Sequence, residues 1–384
     1  KGVRQMNSLS NCSCFSEYYY NQMIRWTDNF LYELKSAENE IEKAFDSIIS
    51  IYIKFLGKSQ KVAIDDLWSY LKEHDLIHQI ESPMQYTKLL FRARVKGEFD
   101  KSDVKQYFHI PFSKRHIVGN QRFSVTGQPM LYFGSSVLAI RKEMEREIKE
   151  LCIAAFLPTS SVYYNSKVFS LTNHLGDCIE NSLPGIFSAD CNLSYDDKNH
   201  SPNRETILSD IHRTVLMHLC TFPVEFDGAF VSEYAIPQML TTALLENGYA
   251  GIVFPSTKDY SELDGNHRFS SYHINIGIFV PYDEKNDINE SLLSTFTIFT
   301  LDGLENFNLT TTDVKEKIND IIEVNKKSAK NNNEYITPVS QLKLHIEYLE
   351  ESQISGTKYF KTEIGKLELE YYMKMLCHLA KFVR

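Results

Sequence analysis

The sequence predicts an α+β protein, with a mixed β core between a helical front and a helical tail. Three observations carry this expectation. Residues 15 to about 80 place apolar side chains at three- and four-residue steps. From about residue 86 the chain turns to short apolar segments punctuated by Gly and Pro. From about 311 the helical spacing returns. At 384 residues and 44.5 kDa the chain can bury a substantial core. The texture divides it into a helical region at 1–85, a mixed domain at 86–302 and a helical region at 303–384.

In the front, "DNFLYELKSAENEIEKAFDSIISIYIKFLG" reads as one helix, with Asp28 as N-cap and Gly57 as its end. Its stripe is Leu34, Ala37, Ile41, Phe45, Ile48, Tyr52 and Phe55, and "AIDDLWSYLKEHDL" supplies a second helix. The segments "QYTKLLFRARV", "PMLYFG", "YAGIVFPST", "YHINIGIFVPY" and "STFTIFTLDG" read as strands. Helices are expected between them at 135–156, about 204–220 and about 236–246, the last closed by Asn247 and Gly248. For the first, the stripe is Val137, Ile140, Met144, Ile148, Leu151 and Ala155, capped by Ser135 or Ser136, with Glu143, Glu147 and Glu150 on another face. The tail supplies "TTDVKEKINDIIEVNKKSAK" and "TPVSQLKLHIEYLEESQ", joined by the polar "NNNEY".

Composition narrows the function classes. No window approaches the roughly 18 apolar residues of a membrane span. The first thirty residues lack the apolar stretch of a secretory signal. Seven scattered cysteines in a chain this long argue against a disulfide scaffold and for a reducing compartment, so a cytoplasmic protein is expected. Cys12 and Cys14 form the one close pair. No second pair with finger-like spacing follows, so no metal site is expected, with metal at Cys12 and Cys14 the minority reading. A net charge of −9 disfavours general nucleic-acid binding.

Against that acidity, Lys88 to Arg122 holds nine basic residues, Arg92, Arg94, Arg115 and Arg122 among them, and three acids. Such a window suits a pocket for a small anion gripped by arginine forks, and equally a solvated basic face. Neither G-x-x-x-x-G-K-[ST] nor G-x-G-x-x-G occurs, so side chains would have to hold any phosphate. Ser256 follows an apolar strand and a proline, where polar side chains often line a site, although turn residues stand there too. Glu233 and Tyr234 precede a helix with Pro237 in its first turn.

"LFRARV", "RFSVTGQPMLYFGSS" with the helix after it, and "SEYAIPQML…GYAGIVFPS" together resemble the RES-domain family, named for its arginine, glutamate and serine. The resemblance spans roughly Tyr86 to Asp302. It implies an ADP-ribosyltransferase-like β core and an intracellular activity that degrades NAD by cleaving the nicotinamide–ribose bond, as in small bacterial toxins that act in growth arrest or defence. It implies Arg92 and Arg122 as the family's two arginines, Tyr132 as its tyrosine, Glu143 as its glutamate and Ser256 as its serine. Arg94 is a substitute for Arg92. Glu143 stands at the family's interval after Tyr132, which Glu145 and Glu147 fit less well. In this reading the arginines clamp the pyrophosphate, Tyr132 stacks on nicotinamide or its ribose, Ser256 orients it, and Glu143 steadies the oxocarbenium-like transition state. NAD is then a substrate, and no cofactor is expected. An antitoxin or regulatory partner and an oligomer are expected, with the flanking helical regions masking the site or recruiting the partner. An ADP-ribosyltransferase, a non-catalytic nucleotide sensor and a helical interaction protein are the alternatives.

Overall fold

The computed structural model describes residues 32, 35–77, 89–97, 103–158, 167–171, 204–224, 230–258, 263–264, 274–301, 309–327 and 333–383. Asp28, Cys12 and Cys14 lie outside them. The principal helices are α1 (Glu38–Gly57), α2 (Gln60–Glu73), α3 (Val137–Met144), α4 (Arg204–Cys220), α5 (Ala235–Glu246), α6 (Thr311–Lys327), α7 (Asn333–Glu350) and α8 (Glu363–Val383). The strands of the main sheet are β1 (Leu90–Val95), β2 (Met130–Gly134), β3 (Leu151–Pro158), β4 (Val168–Ser170), β5 (Gly251–Pro255), β7 (Ile274–Phe279) and β8 (Phe296–Thr300), with β6 (Leu263–Asp264) elsewhere. The fold is α+β.

The chain divides into two compact units. Unit 1 takes Lys1–Leu76 and Asn173–Leu219, and unit 2 takes Ile77–Thr172 and Cys220–Arg384. The C-terminal helices therefore belong to the same unit as the sheet.

Unit 1 is helical among its described residues. Ser59 caps α2 by accepting from Val62 N. The buried stripe of α1 is Ala37, Ala44, Ile48 and Ile51, whereas Ile41 and Phe45 are exposed. The inward face is thus turned from the expected one, because the small Ala44 allows close approach where Phe45 would not. His212 of α4 joins all three helices: its Nδ1 lies 2.6 Å from Tyr70 Oη, its Nε2 lies 3.8 Å from Glu40 Oε2, and its ring stacks on His74 at 3.6 Å. Burial pushes the His212 pKa down to about 4. The neighbouring His74 pushes the same way, and Glu40 opposes them. An unfolded histidine titrates near 6.5. Between those values the unfolded chain binds a proton that the folded chain refuses, so acid destabilises unit 1. Unfolding followed by tryptophan fluorescence, both tryptophans being in unit 1, should show stability full above about pH 6.5 and falling toward about pH 4. His212→Gln should flatten that dependence.

In unit 2 the main sheet runs β4-β5-β7-β2-β1-β3-β8. Its pairings are antiparallel except for the parallel β4–β5 edge. The chain at 145–158 differs from the expected continuation of a helix. Glu145 adopts a left-handed backbone with φ 51°, which ends α3, and "LCIAAFLP" becomes β3. The steps of three and four at Ile148, Leu151 and Ala155 fit a buried strand as well as a helix. Pairing decides the matter, because β3 is hydrogen-bonded on both sides, by β1 and by β8. Phe133, Phe156 and Phe296 form a ring cluster in the core. Helix α8 is amphipathic and packs Tyr371 edge-on against Phe91 of β1, with Tyr371 Oη donating to Ile153 O. Each such buried aromatic contributes about 1.5–3 kcal/mol relative to exposure. Helices α6, α7 and α8 all add residues to this one core, among them Ile318, Leu342 and Met375.

Candidate active site

The end of β2 is where the site begins. Ser135 N donates to Ile274 O, and Ile274 N donates to Ser135 Oγ, so the strand exit is tied to β7. Ser136 then caps α3, its Oγ accepting from Ala139 N at 3.0 Å. A Cβ on Gly134 would lie 3.0 Å from Ile140 and 3.1 Å from Ala139, so a larger residue there would press on the first turns of α3, and glycine lets the helix fold closely onto the strand it leaves. The eight-residue helix holds a single glutamate, Glu143, because Glu145, Glu147 and Glu150 fall beyond its end. Glu147 and Glu150 form a capping box of their own, and Glu145 pairs with Lys258 at 2.6 Å.

Glu143 Oε1 accepts two hydrogen bonds, from Ser256 Oγ at 2.5 Å and from Asn275 Nδ2 at 2.6 Å. Ser256 follows β5 directly, and its Oγ also accepts from Lys258 N, which sets the rotamer. Asn275 is buried on β7, the one polar side chain of "INIGIF". Among the described residues the second oxygen of Glu143 has no hydrogen-bond partner. The carboxylate is therefore held from one side with its other oxygen available.

Register brings Tyr132 to the same face. Tyr132 stands opposite Gly277, and Gly134 opposite Asn275, so Tyr132 and Asn275 share a face, as does Phe254, which also stands opposite Asn275. The Tyr132 hydroxyl donates to Ser124 Oγ at 3.3 Å, and burial pushes its pKa up. Arg122 enters from the loop before β2. Its guanidinium lies over the Tyr234 ring at 5.3 Å, and Nη1 donates to Cys220 O at 3.1 Å. Partial burial lowers the Arg122 pKa. Tyr234, Cys220 and the carboxylates Glu143 and Glu233 oppose that shift, so the cation stays within the field of Glu143. Glu143, Ser256, Arg122, Tyr132 and Tyr234 are all partly exposed, which leaves them open to a ligand.

Arg92 and Arg94 are placed differently. Phe91 stands opposite Gly134, so alternation turns Arg92 and Arg94 to the other face of the sheet from Tyr132. Arg92 is buried, its Nη1 donating to Tyr132 O at 2.7 Å, and its Nε has no hydrogen-bond partner among the described residues. Desolvation, with Arg94 nearby, holds its pKa well below the usual arginine range. It bridges β1 and β2, which pair at a single position. Arg94 donates to Gln106 O and Phe108 O, so it organises the turn after β1. Two further basic residues of the window have other partners: Lys105 pairs with Glu290 and Arg115 donates to Gly127 O. Asn275 and Tyr234 are the site residues that the sequence argument left without a role. An asparagine inside an otherwise apolar strand was the signal available for the first. Among the described residues no group of three or more His, Cys, Asp or Glu side chains is arranged to hold a metal ion. Nor is any helix there long and apolar enough to cross a membrane.

Comparison with known proteins finds one partial likeness. Over 90 residues the chain is 39% identical to the Bacillus subtilis (strain 168) protein named "Putative toxin YopC", a match covering 23% of this chain and 18% of that protein. No protein-family model matches the chain, and no solved structure matches it.

Proposed function

We propose that unit 2 is a toxin-type enzyme that binds NAD and cleaves its nicotinamide–ribose bond in the cytoplasm. The observation that carries this reading is the Glu143 carboxylate, held on one oxygen by Ser256 and Asn275, its other oxygen without a hydrogen-bond partner among the described residues, and lying within reach of the Arg122 charge. The named likeness to a toxin points the same way, as does the resemblance of the Arg122, Tyr132, Glu143 and Ser256 segments to RES domains.

Cleavage breaks the bond between the ribose anomeric carbon and the pyridinium nitrogen. The bonding pair leaves with nicotinamide, which departs neutral, and the sugar becomes an oxocarbenium-like cation. The other oxygen of Glu143 stabilises that cation most when its charge is largest, which is what lowers the barrier. Ser256 and Asn275 keep the carboxylate from swinging away. Arg122 attracts the pyrophosphate, and the Tyr234 and Tyr132 rings offer surfaces for a planar base. Arg92 supports the β2 main chain from behind and takes no direct part. Water captures the cation, giving ADP-ribose and a proton.

Incubation of the purified chain with NAD should release nicotinamide. Product that shifts to a sugar phosphate when phosphate is added would mark phosphorolysis, and label carried from NAD into protein would mark an ADP-ribosyltransferase. Arg122→Ala should raise KM for NAD by about tenfold or more with a smaller change in kcat, since it removes a binding contact remote from the breaking bond. Absence of nicotinamide release over hours would overturn the reading.

A further inference from the structure

Helix α3 is short, so the aim of Glu143 depends on how the first turn of the helix is fixed. Val137 begins that turn, six residues before Glu143, or about 9 Å along the axis at 1.5 Å per residue. A tilt of about 10° at the Val137 end would move the carboxylate by about 1.5 Å. A misplacement of that size can cost about a hundredfold in rate.

Beyond the Ser136 cap, a second group holds this turn, and it comes from the far end of the chain. Glu368 lies in the middle of α8 and is fully buried. Its Oε1 accepts from Val137 N at 2.6 Å across 231 residues of sequence. Tyr359 Oη donates to the same oxygen at 2.9 Å, and Tyr372 Oη donates to the other at 3.0 Å. Tyr372 Oη also lies 3.0 Å from His345 Nε2 of α7. A buried carboxylate is costly unless its oxygens are satisfied, and an apolar residue would fill the same space without that cost. Packing therefore does not explain a glutamate here. What a carboxylate adds is a directional acceptor at the positive end of a helix.

We infer that Glu368 is a positioning residue for Glu143, the link through which the C-terminal helices brace the active-site helix. The contact is made at the first residue of α3. The inference rests on the proposed reaction for its catalytic consequence, and on the structure alone for the brace.

Glu368→Met removes the acceptor at similar volume, and Glu368→Gln keeps an oxygen for Val137 N. Two quantities are read on the full chain: hydrogen–deuterium exchange of residues 137–144, and kcat and KM for nicotinamide release. Glu368→Met should speed exchange across α3 and lower kcat about tenfold or more while KM stays within about twofold. Glu368→Gln should restore most of both. Should Glu368→Met fail to fold, Glu368→Gln combined with Tyr359→Phe and Tyr372→Phe should show smaller changes of the same sign. Wild-type exchange in α3, or faster exchange with unchanged kcat, in the folded variant would overturn the inference. If the wild-type chain releases no nicotinamide, the proposed reaction fails, and exchange across α3 alone still decides whether Glu368 braces it.

Discussion

Glu143→Gln should abolish nicotinamide release, by about a hundred- to a thousandfold or more, while leaving unit 2 folded. The size follows from what is removed. A preorganised charge facing a developing opposite charge is worth about 3–4 kcal/mol of barrier in a partly dehydrated site. The intact fold follows from what is kept. Glutamine has the same length, and its carbonyl oxygen can still accept from Ser256 Oγ and Asn275 Nδ2, now 2.5 and 2.6 Å from Glu143 Oε1. Its amide then replaces the oxygen that has no protein partner among the described residues. The measurement pairs product analysis with a thermal melt. Turnover within about threefold of wild type would remove Glu143 from the reaction, whereas lost turnover with a lowered melting point would point to structure. Ser256→Ala and Asn275→Ala should each lower kcat by less, since either donor alone still holds the carboxylate.

Gly365→Ala should be the most damaging glycine-to-alanine change among the described residues of unit 2. A Cβ at that position would lie 2.2 Å from Tyr359 O and 2.7 Å from Phe360 Cα, and both are main-chain atoms. They cannot move aside as a flexible side chain would, so the segment before α8 must shift. That segment is tightly held. Tyr359 is fully buried, its N donates to Ser352 O, and its carbonyl accepts from Thr362 N and Thr362 Oγ1. Overpacking of this kind costs about 1–3 kcal/mol, and more where backbone must yield. Denaturant titration of the variant should show a lowered midpoint, with faster exchange in α3 because Tyr359 is displaced from Glu368. Stability within about 0.5 kcal/mol of wild type would mean that α8 accommodates the methyl group.

The parts of this site that could be read from the sequence are those built from neighbours in the chain. Gly134, the serine cap and Glu143 follow one another within ten residues, and each leaves a local mark: a strand exit, a polar residue before an apolar turn, and a glutamate in the helical run that follows. Ser256 after β5 is legible for the same reason. The helix expected at 135–156 shows where local reading ends. An apolar run such as "LCIAAFLP" is compatible with either period, and its two partner strands made it a strand. The basic window between Lys88 and Arg122 was visible as charge, but not as destination. Arg94 went to carbonyl groups, Lys105 to Glu290, and Arg122 to the Tyr234 ring.

By itself, then, the order of residues determined the α+β class, the helical and strand-rich stretches apart from 145–158, the turn that precedes Glu143 and the serine that follows a buried strand. Tertiary structure decided which oxygen of Glu143 is held, which arginine lies in its field, and that a glutamate 231 positions beyond Val137 caps the helix. The division has a physical cause. Caps and turns are settled by interactions within a few residues, whereas a hydrogen bond between distant segments exists only after strand pairing and helix packing have brought its two ends together.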